Sequence, residues 1–175
     1  MERPDFARRR RSGPQGFTLV ELMVTLAVLA IIIGIAVPSF NAMTQRNRLT
    51  AAANEIVGAL QTARMEAVRR NRSIRVCPTT DGSACAGTDW GRVVIRGADG
   101  PIREVQAVRP GTGISGTSAL AAIEYRPDGR AVASGAVAFA SSKLPTAENT
   151  RLIEVGTSRV SVCRVSQGAT KCPTN

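Results

Sequence analysis

The chain has 175 residues, a length that fits one domain with an accessory segment. It carries 23 basic and 13 acidic residues and a net charge of +10, which favours contact with anionic partners but specifies no fold. Histidine is absent, which excludes a histidine-containing catalytic triad and a histidine zinc site. We therefore expect a protein that is not an enzyme and that uses no cofactor and no metal.

The first residues form a basic segment. Among the first eleven are five arginines, one glutamate and one aspartate, a net charge of +3, and four of the arginines are consecutive at 8–11. Basic clusters beside a membrane span stay on the cytoplasmic side. We therefore expect the N-terminus in the cytoplasm and the bulk of the chain in the periplasm.

A long apolar run follows this basic segment. Residues 17–37 read FTLVELMVTLAVLAIIIGIAV, 21 residues with a single charge. At about 1.5 Å per residue, such a helix spans the roughly 30 Å hydrocarbon core. The sequence PSFNAM after it offers no small-residue cleavage site, so we expect the run to be retained as a single membrane anchor.

The residues at the start of this run carry a specific motif. Gly16, Phe17, Thr18, Leu19, Val20 and Glu21 together resemble the cleavage junction of the type IV prepilin family. The resemblance implies a leader of residues 1–16 that a prepilin peptidase removes between Gly16 and Phe17, methylation of the new Phe17 amino group, and assembly with other pilins. The alternative is a signal anchor with an incidental glutamate.

Glu21 would be the carboxylate that the prepilin family places four residues after the cleavage point. A charge near the bilayer centre costs about 2.5 to 3.5 kcal/mol, so it should be retained only with a partner. We expect that partner to be the Phe17 amine of a neighbouring helix, a pairing that would fix the axial stagger between subunits.

The helix is expected to continue past the apolar run. Pro38 lacks a backbone donor and bends a helix, and the prepilin family has a proline at this place too. Residues 17–40 are thus predicted as the transmembrane and filament-core segment. Residues 41–72 are predicted as an amphipathic continuation that ends near Asn71, because apolar side chains recur there every three or four positions, at Leu49, Ala53, Ile56, Leu60, Ala63 and Ala67.

After residue 72 the apolar period changes to alternation. We predict an α+β fold, in which the long helix packs on an antiparallel β-sheet head formed by residues 73–175. In the second strand Val93 and Ile95 should face the core, while Arg92, Val94 and Arg96 should face the other way. A turn is expected at Pro127-Asp128-Gly129. The candidate strands are 73–77, 91–96, 102–108, 123–126, 131–133, 136–140, 152–155 and 159–163.

Motifs along the head extend the family resemblance over essentially the whole chain. They are Val76-Cys77-Pro78, Asp81-Gly82, Asp89-Trp90, Tyr125-Arg126-Pro127-Asp128-Gly129-Arg130 and Arg159-Val160-Ser161-Val162-Cys163-Arg164. These motifs are similar to those of the FimT/FimU-type minor pilins and the H-type pseudopilins. The resemblance implies a minor subunit that passes from the inner membrane to the tip of a type IV pilus, or the equivalent pseudopilin of a type II secretion system.

The four cysteines form two local pairs, Cys77 with Cys85 and Cys163 with Cys172. Their wide spacing does not match the C-x2-C knuckles of zinc sites, so disulfides in an oxidising compartment are the better interpretation. Four cysteines allow three pairings and the sequence does not select one; our hypothesis is the local pairing. Free buried thiols are the alternative.

A basic tail suggests a second function. Arg151, Arg159, Arg164 and Lys171 could neutralise phosphates and bind DNA without sequence preference. Some FimT-type proteins bind DNA through a C-terminal Gly-Arg-x-Arg motif, and the corresponding stretch here is Ser158-Arg159-Val160-Ser161, in which two of the three defining residues differ. Trp90, the single tryptophan, is predicted to anchor the core or a sheet edge rather than to stack on bases.

Overall fold

The computed structural model describes residues 16–173, so the predicted leader, apart from Gly16, lies outside the described residues. The chain divides into an N-terminal unit of residues 1–39 and a head of residues 40–175. The two units are described in turn.

The N-terminal unit consists of the first part of helix α1, which runs over Leu19–Arg70. Thr18 caps the helix, because its hydroxyl accepts a hydrogen bond from the Glu21 amide at 3.2 Å. Pro38 lies inside the helix. The helix is apolar and long enough to cross a membrane, and no residue of its apolar window is buried.

Helix α1 ends where the sequence predicts. Asn71 has a φ of 49°, in the left-handed region that a short polar side chain tolerates. The Arg72 amide donates to the Ala67 carbonyl at 3.2 Å, and the Asn71 amide donates to the Val68 carbonyl at 3.3 Å. This pair of bonds is the Schellman arrangement, which satisfies the last carbonyls and stops the helix.

The head contains two antiparallel sheets of four strands each. The first has the order β3-β2-β1-β5 and the second the order β4-β6-β7-β8. This confirms the predicted α+β fold and divides the predicted sheet into two. The strands are β1 Ile74–Pro78, β2 Arg92–Gly97, β3 Gly100–Gln106, β4 Ile114–Ser118, β5 Ile123–Tyr125, β6 Gly135–Ser141, β7 Thr150–Val155 and β8 Val160–Val165.

The core of the head forms between these sheets and the second half of α1. Both sheets contribute large buried side chains, among them Ile95 from the first and Phe139 from the second, and Trp90 joins them with 1% exposure. The core face of the helix is lined by Leu49, Ala52, Ala53, Ile56, Ala59, Leu60, Ala63 and Ala67. The predicted amphipathic face and the predicted role of Trp90 are both confirmed.

Two strand predictions were wrong. Ile114–Ser118 forms β4, although no strand was predicted there. Residues 131–133 form no strand, and only Ala131 makes an isolated bridge, with Tyr125. The predicted turn does form, since the Gly129 amide donates to the Arg126 carbonyl at 2.9 Å. The Val132 amide still donates back to the Glu124 carbonyl at 2.8 Å, whereas the Ala131 amide between them donates to the Thr157 carbonyl at 2.9 Å.

Each sheet is also covered on its outer face. Cys77 lies opposite Val94 in the register of β1 and β2, and Cys163 lies opposite Leu152 in the register of β7 and β8. The disulfides are Cys77–Cys85 and Cys163–Cys172, the local pairing. Val94 lies on the side of the sheet that was predicted to face away from the core, but it is fully buried there, opposite Cys77 and its disulfide-closed loop.

Candidate assembly site and basic surface

The residues of the predicted junction lie at the start of α1. Gly16 and Phe17 precede the helix, and Phe17 is 79% exposed. Glu21 lies in the first turn, which places its carboxylate one turn from Phe17. Among the described residues no salt bridge includes Glu21. The carboxylate is therefore open to a cation from another molecule.

Large apolar side chains surround the helix on all sides from Phe17 to Phe40. Leu19 is 74% exposed and Ile35 is 73% exposed, and the residues between them are similar. A helix that is apolar all round is covered by lipid or by other helices. The N-terminal unit thus presents a surface that water does not solvate well.

Pro38 interrupts the hydrogen bonds of this helix. It has no amide to donate to the carbonyl four residues earlier, which belongs to Gly34. That carbonyl is left without its helical partner at the C-terminal end of the apolar segment.

The four predicted basic residues do not form one cluster. Arg151 in β7 lies directly opposite Arg164 in β8. Arg159 precedes the other end of β8, about 16 Å away at the usual strand rise. Lys171 lies in the tail beside Cys172, whose disulfide holds it to the outer face of the second sheet. The structure therefore brings together two of the four.

Arg151 is the unusual member of this pair. Its side chain is buried, with 8% exposure, and its described hydrogen bond runs from Nη1 to the Thr150 carbonyl at 3.4 Å. Burial, reinforced by the nearby Arg164 charge, lowers the pKa of Arg151, and Glu148 opposes that change. The guanidinium keeps several donors for another acceptor.

Sequence reasoning missed two neighbours of Arg151. Arg46 of α1 forms an ion pair with Glu148, with Nη2 3.0 Å from Oε2. Both residues influence the Arg151 charge. Arg46 is distant in sequence from both Glu148 and Arg151. Only the packing of α1 beside the second sheet within the head brings them together, so no local sequence pattern could have indicated this contact.

The aspartates of the disulfide loop cap the backbone. Asp81 accepts hydrogen bonds from the Ser83 amide at 2.9 Å and the Ala84 amide at 3.2 Å, and these bonds hold its pKa well below the usual range. Asp89 accepts from the Gly91 amide at 2.9 Å. Among residues 16–173 no group of three or more Cys, Asp or Glu side chains is placed to hold a metal ion.

A long apolar helix that enters a head of antiparallel sheets defines the class of type IV filament subunits. The chain belongs to the family described as type II transport protein GspH, whose model matches residues 52–166. The prokaryotic N-terminal methylation motif matches residues 11–37. Members of the GspH family are structural pilins and pseudopilins that in general do not catalyse reactions, and they assemble with other pilins after prepilin peptidase processing.

Individual relatives support this assignment. A fimbrial protein of Pseudomonas aeruginosa is 40% identical over 60 residues, 34% of this chain and 38% of the relative. Pilin-like protein PilA1 of Thermus thermophilus is 33% identical over 69 residues, 39% of this chain and 43% of the relative. The chain thus spans about two fifths of the length of these curated relatives.

The fold is similar to that of a solved minor pilin. The crystal structure of type IV minor pilin FimU of Pseudomonas aeruginosa matches with a TM-score of 0.54 and 25% identity. The match covers 69% of this chain and 91% of FimU. The helix on antiparallel sheets is therefore shared with a type IV minor pilin.

Proposed function

We propose that the chain is a minor pilin, a structural subunit that helps to initiate or to cap a type IV pilus. The observation that carries this proposal is the apolar part of α1, which has no buried residue in its membrane-length window and Glu21 as its single charge. Such a surface is stable in lipid or among other apolar helices. The likeness to FimU and to fimbrial proteins supports the pilus as the assembly.

In this proposal the precursor is a single-pass protein of the inner membrane with the head in the periplasm. Prepilin peptidase removes residues 1–16, and the new amino group of Phe17 is methylated. Residues 17–40 then form the filament core, residues 41–72 continue the helix, and residues 73–175 form the β-rich head. Mass spectrometry of the mature protein should show a chain that begins at Phe17. If protein from cells with active peptidase still begins at an earlier residue, the proposal is contradicted.

Glu21 is proposed to select the axial position of an incoming subunit. Its carboxylate is exposed and has no described ion-pair partner, and in lipid an unpaired carboxylate is costly. A Phe17 amine on a neighbouring helix would neutralise it at one stagger between the helices. Subunits at other staggers would leave both charges unpaired.

The test is Glu21→Ala, with Thr25→Ala as the matched control one turn further along the helix. Thr25 donates only to the Leu22 carbonyl within its own helix, so its loss should leave assembly intact. Glu21→Ala should remain in the carbonate-resistant membrane fraction but be absent from sheared filaments. Incorporation of Glu21→Ala at the normal rate would refute the pairing.

A pseudopilin of a type II secretion system is the second candidate. The name of the matching family model favours it, and the helix and head suit either machine. Deletion of the gene should reduce the number of surface pili and leave the culture supernatant unchanged. Loss of secreted proteins with normal pili would instead assign the chain to the secretion system.

DNA binding is a third candidate, favoured by the exposure of Arg159 and Arg164, neither of which joins an ion pair among the described residues. The test is a mobility shift at low salt with Arg159→Ala/Arg164→Ala. Arg96→Ala/Arg103→Ala, on the first sheet, removes the same charge elsewhere. Weaker binding by the first variant alone would support this candidate, and equal binding by both would remove the proposed site.

A further inference from the structure

Basic residues collect at one end of the head, where α1 passes residues 45–48. The Gln45 amide donates to the Thr112 carbonyl at 2.8 Å and to the hydroxyl of Ser141 at 2.9 Å, which holds the loop before β4 and the end of β6, with the loop that follows it, against the helix. Six cations lie on α1, on these loops and at the adjoining ends of β7 and β8: Arg46, Arg48, Arg109, Lys143, Arg151 and Arg164.

Few carboxylates balance these charges. Glu148 pairs with Arg46, and Glu55 lines the groove that Arg48 and Arg109 also line. Elsewhere in the head some arginines are paired, as Arg72 with Asp99 and Arg75 with Glu124, and others, such as Arg96 and Arg103, join no described ion pair. We call this end of the head, where the six cations lie with Glu148 and Glu55, the basic end.

Arg151 supplies the basic end with a buried guanidinium that has hydrogen-bond donors to spare. A guanidinium has five donors, yet the described hydrogen bond of this buried group is a single long one to Thr150. Within residues 16–173, every fully buried side-chain nitrogen has a hydrogen-bond partner. The Arg151 nitrogens that have no described partner are therefore accessible from the surface. They open beside Arg164, its opposite neighbour in the sheet. Two adjacent guanidinium groups match the geometry of a phosphate.

We propose that the basic end is a docking surface for the headgroup of an anionic phospholipid, with the phosphate held by Arg46, Arg151 and Arg164. This rests on the proposed membrane anchoring of the chain. Arg46 follows the last residue of the apolar run, Val37, by nine positions of one continuous helix, so chain connectivity alone keeps it near the membrane surface. A basic segment beside a span is attracted to anionic lipids.

A lipid ligand is also consistent with a site that acts while the subunit is still in the bilayer, before it joins a filament. A subunit held by its span alone can tilt and turn in the bilayer, because a single helix fixes neither motion. A headgroup bound at the basic end would add a second point of attachment beside the span. That attachment would be released when the subunit leaves the bilayer for a filament.

The test uses the full chain in an uncharged detergent, with native mass spectrometry to count retained lipid. Phosphatidylglycerol is compared with phosphatidylcholine, whose phosphate carries a compensating charge. The variant is Arg46→Gln/Arg164→Gln, and the control is Arg96→Gln/Arg103→Gln, which removes two charges from the first sheet. Arg151→Lys keeps the charge and removes the planar fork.

The wild-type chain and the control should prefer phosphatidylglycerol about tenfold, the order expected for a few basic groups at an anionic surface. Arg46→Gln/Arg164→Gln should lose the preference, and Arg151→Lys should weaken it at an unchanged unfolding temperature. If Arg151→Lys does not fold, the double variant still decides.

Equal retention of both lipids, or an unchanged preference in the double variant, would overturn the inference. Displacement of the lipid by inorganic phosphate, or by a short DNA oligonucleotide at equal phosphate concentration, would assign the site to those ligands instead and also overturn it. Failure of the membrane anchoring is measured separately, as release of the chain from membranes by carbonate.

Discussion

Glu66 shows how single side chains fix the end of the long helix. Its carboxylate accepts hydrogen bonds from Arg69 at 2.7 Å and from Arg70 at 2.6 Å. These bonds lower the pKa of Glu66 from 4.5 to about 2, and the hydrogen bond from Arg69 has the larger effect. Both arginines also lie in the last turn of α1, where positive charge interacts favourably with the helix dipole.

Glu66 should therefore make stability depend on pH. Because its pKa is lower in the folded state than in the unfolded chain, the stabilisation is present above about pH 4.5 and is lost as pH falls towards about 2. Glu66→Gln should reduce the fall in unfolding temperature across this range, measured by circular dichroism. Glu55→Gln is the control, since Glu55 joins no described ion pair, and an equal effect of both would contradict the assignment.

At the residue scale the sequence predicted the core side of the strands but not the burial of Val94 and Leu152. Both lie opposite a disulfide cysteine, on the side of a sheet that faces away from the helix. Alternation along a strand indicates which side chains share a face, but not whether a remote loop covers that face. The position of Arg46 near Arg151 and Arg164 was missed for the same reason, since it depends on tertiary packing.

Among the elements, the C-terminal tail acts as a strap across the second sheet. Cys172 is bonded to Cys163, and its amide donates to the Glu154 carboxylate at 3.2 Å. Leu152, which pairs with Cys163 in the sheet, is 1% exposed. The strap therefore protects an apolar side chain that the helix does not reach.

Removal of the strap disulfide should destabilise the head. Cys163→Ser/Cys172→Ser should lower the free energy of unfolding by about 2 to 3 kcal/mol, because a closed loop of this size restricts the unfolded chain. Trypsin should then cleave after Lys171 in the native protein. Glu154→Gln, which keeps the disulfide, is the control and should leave cleavage slow. Equal denaturation midpoints for the double variant and the wild type would show that the strap contributes nothing.

At the scale of elements the helix and seven of the eight predicted strands were found within a few residues of their expected bounds. Among these, the strand predicted at 102–108 is β3, which begins and ends two residues earlier. Strand β4 was missed because Ile114-Ser115-Gly116-Thr117-Ser118 has one apolar side chain and no alternation. Its place in the sheet comes from pairing with β6, where Gly116 lies opposite Phe139.

For the whole molecule, the sequence predicted the α+β class because the apolar period changes once, from helical to alternating. It could not predict the division into two sheets, which depends on which strand edges pair. The junction residues Gly16, Phe17 and Glu21 were identified from the motif, whereas their proposed roles depend on other subunits.

Within residues 16–173, the core of the head contains no residue before 40, and its partly buried neighbours begin at Ala42. We therefore predict that residues 40–175 fold without the apolar segment. This fragment should be soluble and should unfold in one cooperative transition, monitored by the fluorescence of the buried Trp90. A gradual transition, or Trp90 emission typical of a solvated indole, would contradict this expectation.

The contact of α1 with the sheets has a mechanical consequence. Of the nine buried residues of the helix, five are alanines. Alanine has no rotamers, so it cannot relax under load as a longer side chain can. A pull along the helix axis would therefore be transmitted to the sheets with little elastic give, a useful property in a fibre under tension.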